Sequence, residues 1–536
     1  MTQRTVNRRD LAKLAAGGAA LAAVGGSLAV SPAMAAALAQ DAPAGDLVYG
    51  KSEEAVGFDP AVVTASSSFD LIAVVYEQLV QFDENGEPQP MLAEKWGVVE
   101  GGAAEASPAA DGATPVAGGP RYVFTLREGV TFHNGQPLTA NDVKFTFDRI
   151  KNPDTGSAWT SQFDPVASID VVDDRTVAFN LSEPYGPFLA TLSSNYAAIV
   201  PADESIDLQT TMVGTGAFKM QEYTKDTQTI LAANADYYED GVPKLATVTH
   251  KILPDESARV AAIRTGEIQL TTLVDPVSVE SASGSEGVQI IEQDTADYYL
   301  LGLNCKVAPF DDVKVRQALS MAIDRQAIID SVFFGKGQVT GPVVPTLGDW
   351  AVPVDQLPNY AVDTDAAKAL LEEAGQGGLS FKITVGADRT EFVNIALVIQ
   401  DQLKDIGVTV ELDQVEWGTF IEKWKARDFQ SFVSYNGSGN DPDRALYPAL
   451  YTGGSVNAFQ FSDPKVDELL DKGRTLSDRE ERKPVYQELE GVIAEQAPLI
   501  FISTRVGQFA ARDTVQGFAP TALDTWSTLE DTTVSQ

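Results

Sequence analysis

Residues 379–415, LSFKITVGADRTEFVNIALVIQDQLKDIGVTVELDQV, contain two alternating apolar stretches separated by a helical pattern. The alternation at 379–386 predicts a strand with one buried face, and the apolar spacing at 391–406 predicts a helix. Gly407 ends that helix, and alternation resumes at 408–415. A strand, a helix and a second strand in so short a segment indicate a βαβ unit with parallel strands, and therefore an α/β protein.

Two other segments predict further elements of the same kind. Residues 122–145, YVFTLREGVTFHNGQPLTANDVKF, begin with strand-like alternation, pass through an Asn-Gly turn and reach a capping-box-like helix start at Thr139. Farther along the chain, Asp311 or Asp312 can cap a helix that ends near Gly335. Helices and strands therefore alternate along the chain.

The composition of the chain limits its partners. With 536 residues it is too long for one hydrophobic core. It has 39 Lys and Arg residues and 76 Asp and Glu residues, which give a net charge of −37 and a pI near 4.3. A surface this acidic repels phosphate backbones and anionic lipids. We therefore expect neither a nucleic-acid partner nor a role at a lipid surface. The excess acid indicates solubility in the first place, with attraction of cations as the alternative.

Residues 1–39 have the anatomy of an export signal. A basic start precedes an apolar Ala, Gly, Leu and Val run, and small residues follow at Ala37-Leu38-Ala39. The pair Arg8-Arg9 resembles a twin-arginine signal. A membrane anchor is the alternative, although Gly, Ser and Pro interrupt the run. We expect an exported protein, periplasmic or at the cell surface, soluble after cleavage and without a lipid-anchor cysteine, because Cys305 is the only cysteine.

Few residues offer catalytic or metal chemistry. His133 and His250 are the only histidines, and neither lies in a nucleophile–base motif. HExxH, CxxC and calcium-loop patterns are absent, and the loop GTGAF at 214–218 lacks the lysine of a phosphate-binding loop. Acid pairs for glycoside hydrolysis stay open, since acids are abundant. We expect no enzyme, no catalytic residue, no metal site and no cofactor. His133 is expected to be structural and His250 a hydrogen-bonded strand histidine.

Several blocks of the chain, taken together, resemble one family. They are YVFTLREGVTFHNGQPLTANDVKFTFDRI, VGTGAFKMQEY, ADYYEDGVPKL, LPDESARVAAIRTGEIQL, APFDDVKVRQALSMAIDRQAIIDSVFFGKG, DTDAAKALLEEAG, SGNDPDRALYPALYTGG and FSDPKVDELLDKGR. In this order they resemble the extracellular solute-binding proteins of ABC importers, family 5, the group of dipeptide-, oligopeptide- and nickel-binding proteins. The resemblance implies an α/β, periplasmic-binding-protein-like (type II) clamshell of two lobes with an inserted third subdomain.

The same resemblance implies the domain boundaries. Closure of the lobes would bury a solute in the cleft between them. The expected ranges are 1–39 for the export signal, 46–70, 213–304 and 498–536 for lobe I, 71–212 for the subdomain inserted in lobe I, with a disordered Ala/Gly/Pro-rich insertion at 100–120, and 305–497 for lobe II.

Ligand contacts are implied for two segments of lobe II, VEWGTFIEKW (415–424) and SYNGSGNDPD (434–443). Trp417 matches an aromatic residue of the pocket in peptide binders, with a core tryptophan as the alternative. Arg389 stands where dipeptide binders hold a ligand carboxylate, with a solvated loop arginine as the alternative. Trp424 stands where oligopeptide binders have an arginine. The expected ligand-binding residues are Arg389, Trp417, Trp424, Tyr435, Asn436, Ser438, Asn440 and Asp441.

One departure from the family concerns the ligand's amine. Peptide binders usually hold it with an aspartate about three residues before the Asp-Pro pair, yet Ser438, Gly439 and Asn440 precede Asp441 here. A buried ammonium needs a carboxylate partner. Since Arg389 is present and this aspartate is not, we expect a ligand that has a carboxylate or a similar acceptor and needs no free α-ammonium.

The expected function is that of a monomeric receptor that delivers a small organic solute to an ABC permease and its ATPase subunits. The solute is a peptide by resemblance, and a modified amino acid, an oligosaccharide and a metal chelate stay open. An extracytoplasmic hydrolase or a sensor on the same scaffold is the alternative.

Overall fold

The structure is a computed structural model that describes residues 43–83, 86–99, 119–522, 526 and 528–535. The predicted export signal at 1–39 lies outside the described residues, as does nearly all of the predicted insertion at 100–120. None of the helices in these described ranges is long and apolar enough to cross a membrane.

Strands and helices alternate along the chain. The strands are β1 (Asp46–Lys51), β2 (Val80–Phe82), β3 (Pro88–Pro90), β4 (Ala93–Val99), β5 (Arg121–Leu126), β6 (Val166–Asp173), β7 (Thr176–Leu181), β8 (Phe218–Thr224), β9 (Gln228–Ala233), β10 (Thr247–Ile252), β11 (Leu270–Leu273), β12 (Val288–Leu303), β13 (Ser380–Gly386), β14 (Thr409–Val415), β15 (Ser431–Gly437), β16 (Leu499–Arg512), β17 (Val515–Gln516) and β18 (Thr533–Val534). The helices are α1 (Ser66–Val75), α2 (Ala140–Lys151), α3 (Phe188–Leu192), α4 (Glu256–Thr265), α5 (Pro276–Ser283), α6 (Val313–Ala322), α7 (Arg325–Val332), α8 (Thr364–Glu373), α9 (Thr390–Lys404), α10 (Trp417–Ala426), α11 (Pro442–Leu450), α12 (Pro464–Thr475) and α13 (Arg479–Gln496).

A ten-stranded mixed sheet runs through the molecule in the order β14-β13-β15-β12-β16-β11-β1-β10-β9-β8. The predicted βαβ unit is confirmed, because β13 and β14 pair in parallel from Ser380–Thr409 to Gly386–Val415, with α9 between them in the chain. Its predicted bounds differ from the observed ones by one or two residues. The α/β prediction is therefore confirmed.

Two long strands at the centre of this sheet connect its halves. β12 and β16 pair antiparallel along most of their length, with β13 to β15 on one side and β1 and β8 to β11 on the other. Their register shifts between Asp294 and Tyr298 and again between Tyr299 and Leu300. Such irregularities bend a strand and turn a side chain in a new direction. The two sides of the sheet correspond to two lobes, and the residue boundaries given above stay a prediction.

A smaller antiparallel sheet, β4-β5-β7-β6, lies within residues 71–212 and packs against α2. Phe124, Phe147 and Phe179 meet edge to face in its core, with ring centroids 5.1–5.7 Å apart. The predicted start of α2 is confirmed, because the Asp142 carboxylate accepts the Thr139 backbone N–H at 2.8 Å. The strands that flank the predicted insertion, β4 and β5, pair with each other.

The predicted helix between Asp311 and Gly335 is wrong in one respect, since the structure has two helices there. Asp312 caps α6 by accepting the Lys314 N–H at 2.8 Å. The chain then becomes extended at Ile323, and Asp324 caps α7 by accepting the Ala327 N–H at 2.9 Å. A second capping aspartate inside an apolar helical pattern marks a second start, and the periodicity alone hid it.

The prediction that His133 is structural is confirmed. Its Nε2 lies 2.9 Å from the Gly216 carbonyl oxygen. Its Nδ1 accepts a hydrogen bond from the Gly214 backbone N–H at 3.3 Å. Together these bonds select the neutral tautomer with the proton on Nε2. Burial lowers the pKa of His133 to about 4, so the ring stays neutral. It therefore fixes the loop at 213–217 before β8.

His250 lies in β10 as predicted, but the expected hydrogen bonds are missing. It is buried with its ring edge-on to Tyr49, and neither ring nitrogen has a hydrogen-bond partner among the described residues. Burial lowers its pKa well below the usual range, with a smaller contribution from the Lys51 charge. The neutral ring is thus packed as a core side chain.

Candidate functional site

A cavity of about 510 Å³ lies between the two lobes. Its walls come from α1, the β2–β3 hairpin and residues 193–196 on one side, and from residues 439–444 on the other. Cavities of about 300–1,000 Å³ that lie between domains are typical ligand sites. The polar and aromatic groups that line it include Asp70, Gln78, Tyr196, Asn440, Arg444 and Trp526.

Side chains from the two lobes meet across this cavity. Asn440 donates from Nδ2 to the Ser193 hydroxyl at 2.7 Å, and the Arg444 guanidinium lies 3.4 Å from the Ser194 hydroxyl. Arg389 and Glu53, which do not line this cavity, form a further ion pair between the lobes at 3.5 Å. These contacts hold the lobes together in the state that the structure describes.

Another cavity, of about 460 Å³, is lined by residues of the first lobe and its inserted sheet. Its arginine, Arg149, is already paired with Asp59 at 2.5 Å. Acidic side chains at Asp203, Glu204 and Asp207 make up much of the remaining wall. We place the candidate site in the interlobe cavity, because both lobes line it and the predicted residue Asn440 is part of its wall.

Arg389 and Trp417 lie side by side at one edge of the sheet. Arg389 precedes α9 after β13, and Trp417 opens α10 after β14, so both follow the carboxyl ends of adjacent parallel strands. The guanidinium carbon of Arg389 lies 4.8 Å from the Trp417 ring centroid. Trp417 is half-buried and stacks on Phe420 at 4.9 Å. The Arg389 side chain is 36% exposed, and its Nε has no partner among the described residues.

Trp424 and Asn436 line a second, smaller cavity of about 210 Å³. Its floor is apolar, with Phe432 and Phe459 stacked 5.9 Å apart, and Arg444 contributes a charge. Since Arg444 lines both this cavity and the interlobe cavity, the two are neighbours. Aromatic walls with one amide and one guanidinium suit a ligand side chain or end group.

Tyr435, Ser438 and Asn440 follow one another at the end of β15. The Tyr435 ring lies beneath the Arg505 guanidinium at 4.6 Å. Ser438 is buried, and its hydroxyl has no partner among the described residues. The amide oxygen of Asn440 is also buried and unpartnered. Buried polar atoms normally have a hydrogen-bond partner, so these two are open to a ligand or to water.

Asp441 is placed differently from the other predicted residues. It caps α11 by accepting the Asp443 N–H at 2.9 Å, and both its oxygens accept from Arg482, at 2.6 and 2.8 Å. Both side chains are buried, with 7% and 4% exposure. A carboxylate whose two oxygens are taken by a buried guanidinium fork has little capacity left for a ligand. The structure therefore gives Asp441 a structural contact beside the cavity.

Sequence reasoning missed an acid at the end of β15. Asp297 pairs with Gly437 across β12 and β15, and a Cβ atom on Gly437 would lie only 2.9 Å from the Asp297 Oδ1. Burial raises the pKa of this carboxyl, whereas the guanidinium of Arg505 lowers it. No spacing rule links residues so far apart in the chain. The prediction of a ligand that needs no free α-ammonium considered only the residues before Asp441 in the chain, and it stays a prediction.

The described residues contain no group of three or more His, Cys, Asp or Glu side chains placed to hold a metal ion. Cys305 is half-buried, packs against the apolar core beneath β12 and has a pKa that burial raises to about 11. The side chains that line the interlobe cavity can form hydrogen bonds, charge pairs and aromatic contacts.

Known proteins similar to this chain share its length and fold. The dipeptide-binding protein of Escherichia coli K12 is 29% identical over 511 residues, which cover 88% of this chain and 91% of that protein. Heme-binding protein A of Haemophilus influenzae is 28% identical over 94% of this chain and 95% of its own length. The structure of the periplasmic binding protein DppA from Helicobacter pylori, in complex with the peptide STSA, matches with a TM-score of 0.77 at 26% identity, over 93% of this chain and all of that one.

These likenesses confirm the predicted type II α/β fold of two lobes with an inserted subdomain. The family model described as "Bacterial extracellular solute-binding proteins, family 5 Middle" matches residues 87–457, well over half of the chain. The chain therefore belongs to the bacterial extracellular solute-binding proteins of family 5.

Proposed function

We propose that this protein is an exported receptor that encloses a small organic solute between its lobes and delivers it to the permease of an ABC importer. The observation that carries the proposal is the interlobe cavity of about 510 Å³, to which both lobes contribute side chains. A site built from two lobes can exist in full only when they approach each other, so binding and closure are coupled.

The proposed ligand is a peptide or a related solute. Two of the similar proteins are a dipeptide-binding protein and a periplasmic binding protein in complex with the peptide STSA, although another is a heme-binding protein. Unpartnered polar atoms of Ser438 and Asn440 suit the amide groups of a peptide. Trp417 and Trp424 offer aromatic faces for its side chains.

Arg389 is the proposed partner of a ligand carboxylate. A planar guanidinium suits a carboxylate through two parallel hydrogen bonds. Its contact with Glu53 is a single one at 3.5 Å, and Glu53 is exposed, so that a ligand carboxylate can replace Glu53 at little cost in solvation.

Closure is proposed to occur about β12 and β16, the only two strands that pass between the halves of the ten-stranded sheet within the described ranges. Export by the signal at 1–39, action as a monomer, partnership with a permease and its ATPase subunits, and the lobe boundaries at 304–305 and 497–498 belong to the same proposal.

The first experiment identifies the solute and follows closure. Native protein purified from its export compartment is denatured, and the released small molecules are identified by mass spectrometry. Adding the recovered solute to stripped protein should decrease the radius of gyration in small-angle scattering. It should also stabilise the folded state by about 2.7 kcal/mol when the free solute is at one hundred times its Kd.

Two outcomes would contradict the proposal. Conversion of the solute at a rate proportional to protein concentration would indicate an enzyme. A solute that raises the melting temperature while the radius of gyration stays constant would indicate binding outside the interlobe cavity.

A further inference from the structure

A third cavity, of about 130 Å³, lies beside the interlobe cavity. Its walls come from α1, the β2–β3 hairpin, the loop after β9 and the residues before β18. Four residues line both cavities, namely Ala73, Gln81, Met91 and Trp526. The two cavities are therefore neighbours, and part of a solute in the interlobe cavity can extend into the smaller one past the unbranched side chains of Gln81 and Met91.

Three carboxyl groups, those of Glu77, Glu239 and Glu530, line this acid-lined cavity, and no lysine or arginine is among its described lining residues. Burial and the carboxylates of Glu239 and Glu77 raise the pKa of Glu530 to about 7. Burial also raises the pKa of Glu77. Carboxyl groups that are enclosed together without a cation hold protons in its place, so the empty cavity is suited to a positive charge.

Glu77 has one oxygen that is bonded and one that is open. The residue is 2% exposed, and its Oε1 accepts the hydroxyls of Tyr237 and Tyr238 at 3.0 and 2.8 Å. Its Oε2 is buried and has no hydrogen-bond partner among the described residues, and the same is true of the neighbouring Thr215 hydroxyl. Since a buried oxygen without a partner is costly, Oε2 is the position at which an N–H donor would be stabilised most.

The cations near the acid-lined cavity are already engaged. The guanidinium carbon of Arg127 lies 5.2 Å from the Tyr238 ring centroid, and its Nε donates to the Met91 carbonyl. Lys244 pairs with Asp531 at 2.7 Å. Neither cation lines the cavity, so its carboxyl groups are not neutralised from within the described part of the chain.

The spacing of the acids favours an organic cation. Among the described residues no three acidic side chains are placed to hold one metal ion. A guanidinium has five N–H donors and an ammonium has three, and these donors point in several directions. Such a group can therefore bond to carboxylates that are too far apart to share one ion.

We propose that the acid-lined cavity is a subsite for a guanidinium or ammonium group of the solute, with Glu77 and Glu530 as the residues that bind it. The inference rests on the proposed function and names its substrate class, peptides or related solutes with a basic side chain. Arg444 lies in the wall that the other lobe gives to the interlobe cavity. A solute that has both a basic group and an acceptor would thus have one preferred orientation.

The test compares tripeptides that differ by one charge. Alanine tripeptides with one arginine, at the first, second or third position, are titrated into stripped, full-length mature protein by calorimetry. The same tripeptides with citrulline, which has nearly the shape of arginine without its charge, are titrated in parallel. Wild-type protein should bind the best arginine tripeptide about ten- to a hundred-fold more tightly than its citrulline counterpart. Lysine and norleucine tripeptides give the same comparison for an ammonium.

Two variants remove the acids singly. Glu77→Gln and Glu530→Gln should each reduce the preference for arginine over citrulline to about threefold or less, while the affinity for citrulline tripeptides stays within a factor of about three. The matched control is Glu204→Gln, which removes one carboxyl from the cavity of about 460 Å³ and changes the net charge equally. That variant should retain the full preference.

Proton release gives a second measurement. Glu530, with a pKa of about 7, is partly protonated in the empty protein at neutral pH, and a cation beside it lowers that pKa. Calorimetry of the arginine tripeptide in two buffers with different ionisation enthalpies should therefore show protons released on binding, and Glu530→Gln should reduce their number. The other titratable groups that face Glu530 are Glu77, Glu239, Asp531 and Tyr237, and they are unchanged in the variant. A purely structural Glu530 would alter the affinity without changing the proton count.

Equal affinity of the wild type for arginine and citrulline tripeptides, or no binding of either, would overturn the inference, and so would a preference that survives both variants. The wild-type comparison needs no variant, so a folding defect in Glu77→Gln does not remove the test. Stronger binding of citrulline tripeptides after addition of methylguanidinium would show that the cavity takes a separate cation, which also contradicts the assignment to the solute. A solute without a basic group, recovered from native protein and able to close the lobes, would overturn this inference and leave the proposed function intact.

Discussion

At the residue scale, the two aspartate–arginine pairs explain why the candidate site could be predicted only in part. The sequence marks Asp441 clearly, because it stands in an Asp-Pro motif, yet its carboxylate is fully bonded to Arg482. Asp297 carries no motif and becomes visible only when β12 pairs with β15. The spacing of residues along a chain predicts which side chains are neighbours on one helix or strand. How many hydrogen bonds a carboxylate accepts depends also on side chains from helices and strands that are distant in the chain.

Arg389 is the predicted residue whose role is most directly measurable. Arg389→Ala should weaken binding of the recovered solute about ten- to a hundred-fold, because a charge-assisted hydrogen bond in a closed cleft contributes about 1.5–3 kcal/mol. Isothermal calorimetry on stripped protein measures this difference.

Glu53→Gln is the matched variant, since it removes the other member of the ion pair that joins the lobes. If Arg389 acts on the ligand, Glu53→Gln should retain affinity within a factor of about three, the effect of losing an exposed pair. Equal losses in both variants would mean that Arg389 only holds the lobes together, and unchanged affinity in Arg389→Ala would exclude either role.

At the element scale, local signals predicted well and long-range ones did not. The Asn-Gly turn and the capping box at Thr139 depend on contacts within a few residues, and both are present in the structure. The break between α6 and α7 was missed because the buried faces of both helices continue one apolar pattern. The contact of His133 with the loop at 213–217 could not be predicted, since it joins segments about eighty residues apart.

That contact predicts a stability effect without a binding effect. His133→Ala leaves the Gly214 N–H and the Gly216 carbonyl without the ring, and an unsatisfied buried group costs about 1–3 kcal/mol. The free energy of unfolding in urea should fall by about that amount, while the affinity for the recovered solute stays constant. Gln136→Ala, in the exposed part of the same hairpin, should change the free energy of unfolding by less than about 0.5 kcal/mol. Lost affinity in a folded His133→Ala protein would contradict the structural role.

At the scale of the whole molecule, one βαβ unit was enough to predict the α/β class from the sequence. The order of the ten strands in the mixed sheet could not be predicted in this way. Six strands with parallel neighbours lie on the two sides of the sheet, and they belong to one sheet only because the long antiparallel strands β12 and β16 connect both halves. Periodicity in a chain gives strands and their buried faces, and it carries no information on which distant strand lies alongside. The lobes, and the cavity between them, are consequences of that pairing.

Two buried glutamate side chains make the stability of the whole molecule depend on pH. Burial raises the pKa of Glu490 to about 8, although its oxygens accept the Val343 and Val352 N–H groups at 3.2 and 2.9 Å. Burial and the nearby carboxylates of Glu239 and Glu77 raise the pKa of Glu530 to about 7. An unfolded glutamate titrates near 4.3, so the native protein retains protons that the unfolded chain has lost.

The free energy of unfolding should therefore fall as the pH rises from 6.5 to 8.5. Both folded pKa values exceed the unfolded one, so the stability that these protons confer is present at low pH and is lost as the pH passes through about 7 and then 8. His133 and His250 have lowered pKa values, so they change the free energy of unfolding in the opposite direction, and only below about pH 6.5, where the unfolded histidines titrate.

Urea unfolding between pH 6.5 and 8.5 should reveal a loss of about 1–2 kcal/mol in the free energy of unfolding from Glu490 alone. Glu490→Gln should flatten the profile, whereas Glu495→Gln, an exposed residue on the same helix α13, should leave its slope unchanged. A level wild-type profile between pH 6.5 and 8.5 would mean that Glu490 is already ionised in the folded protein.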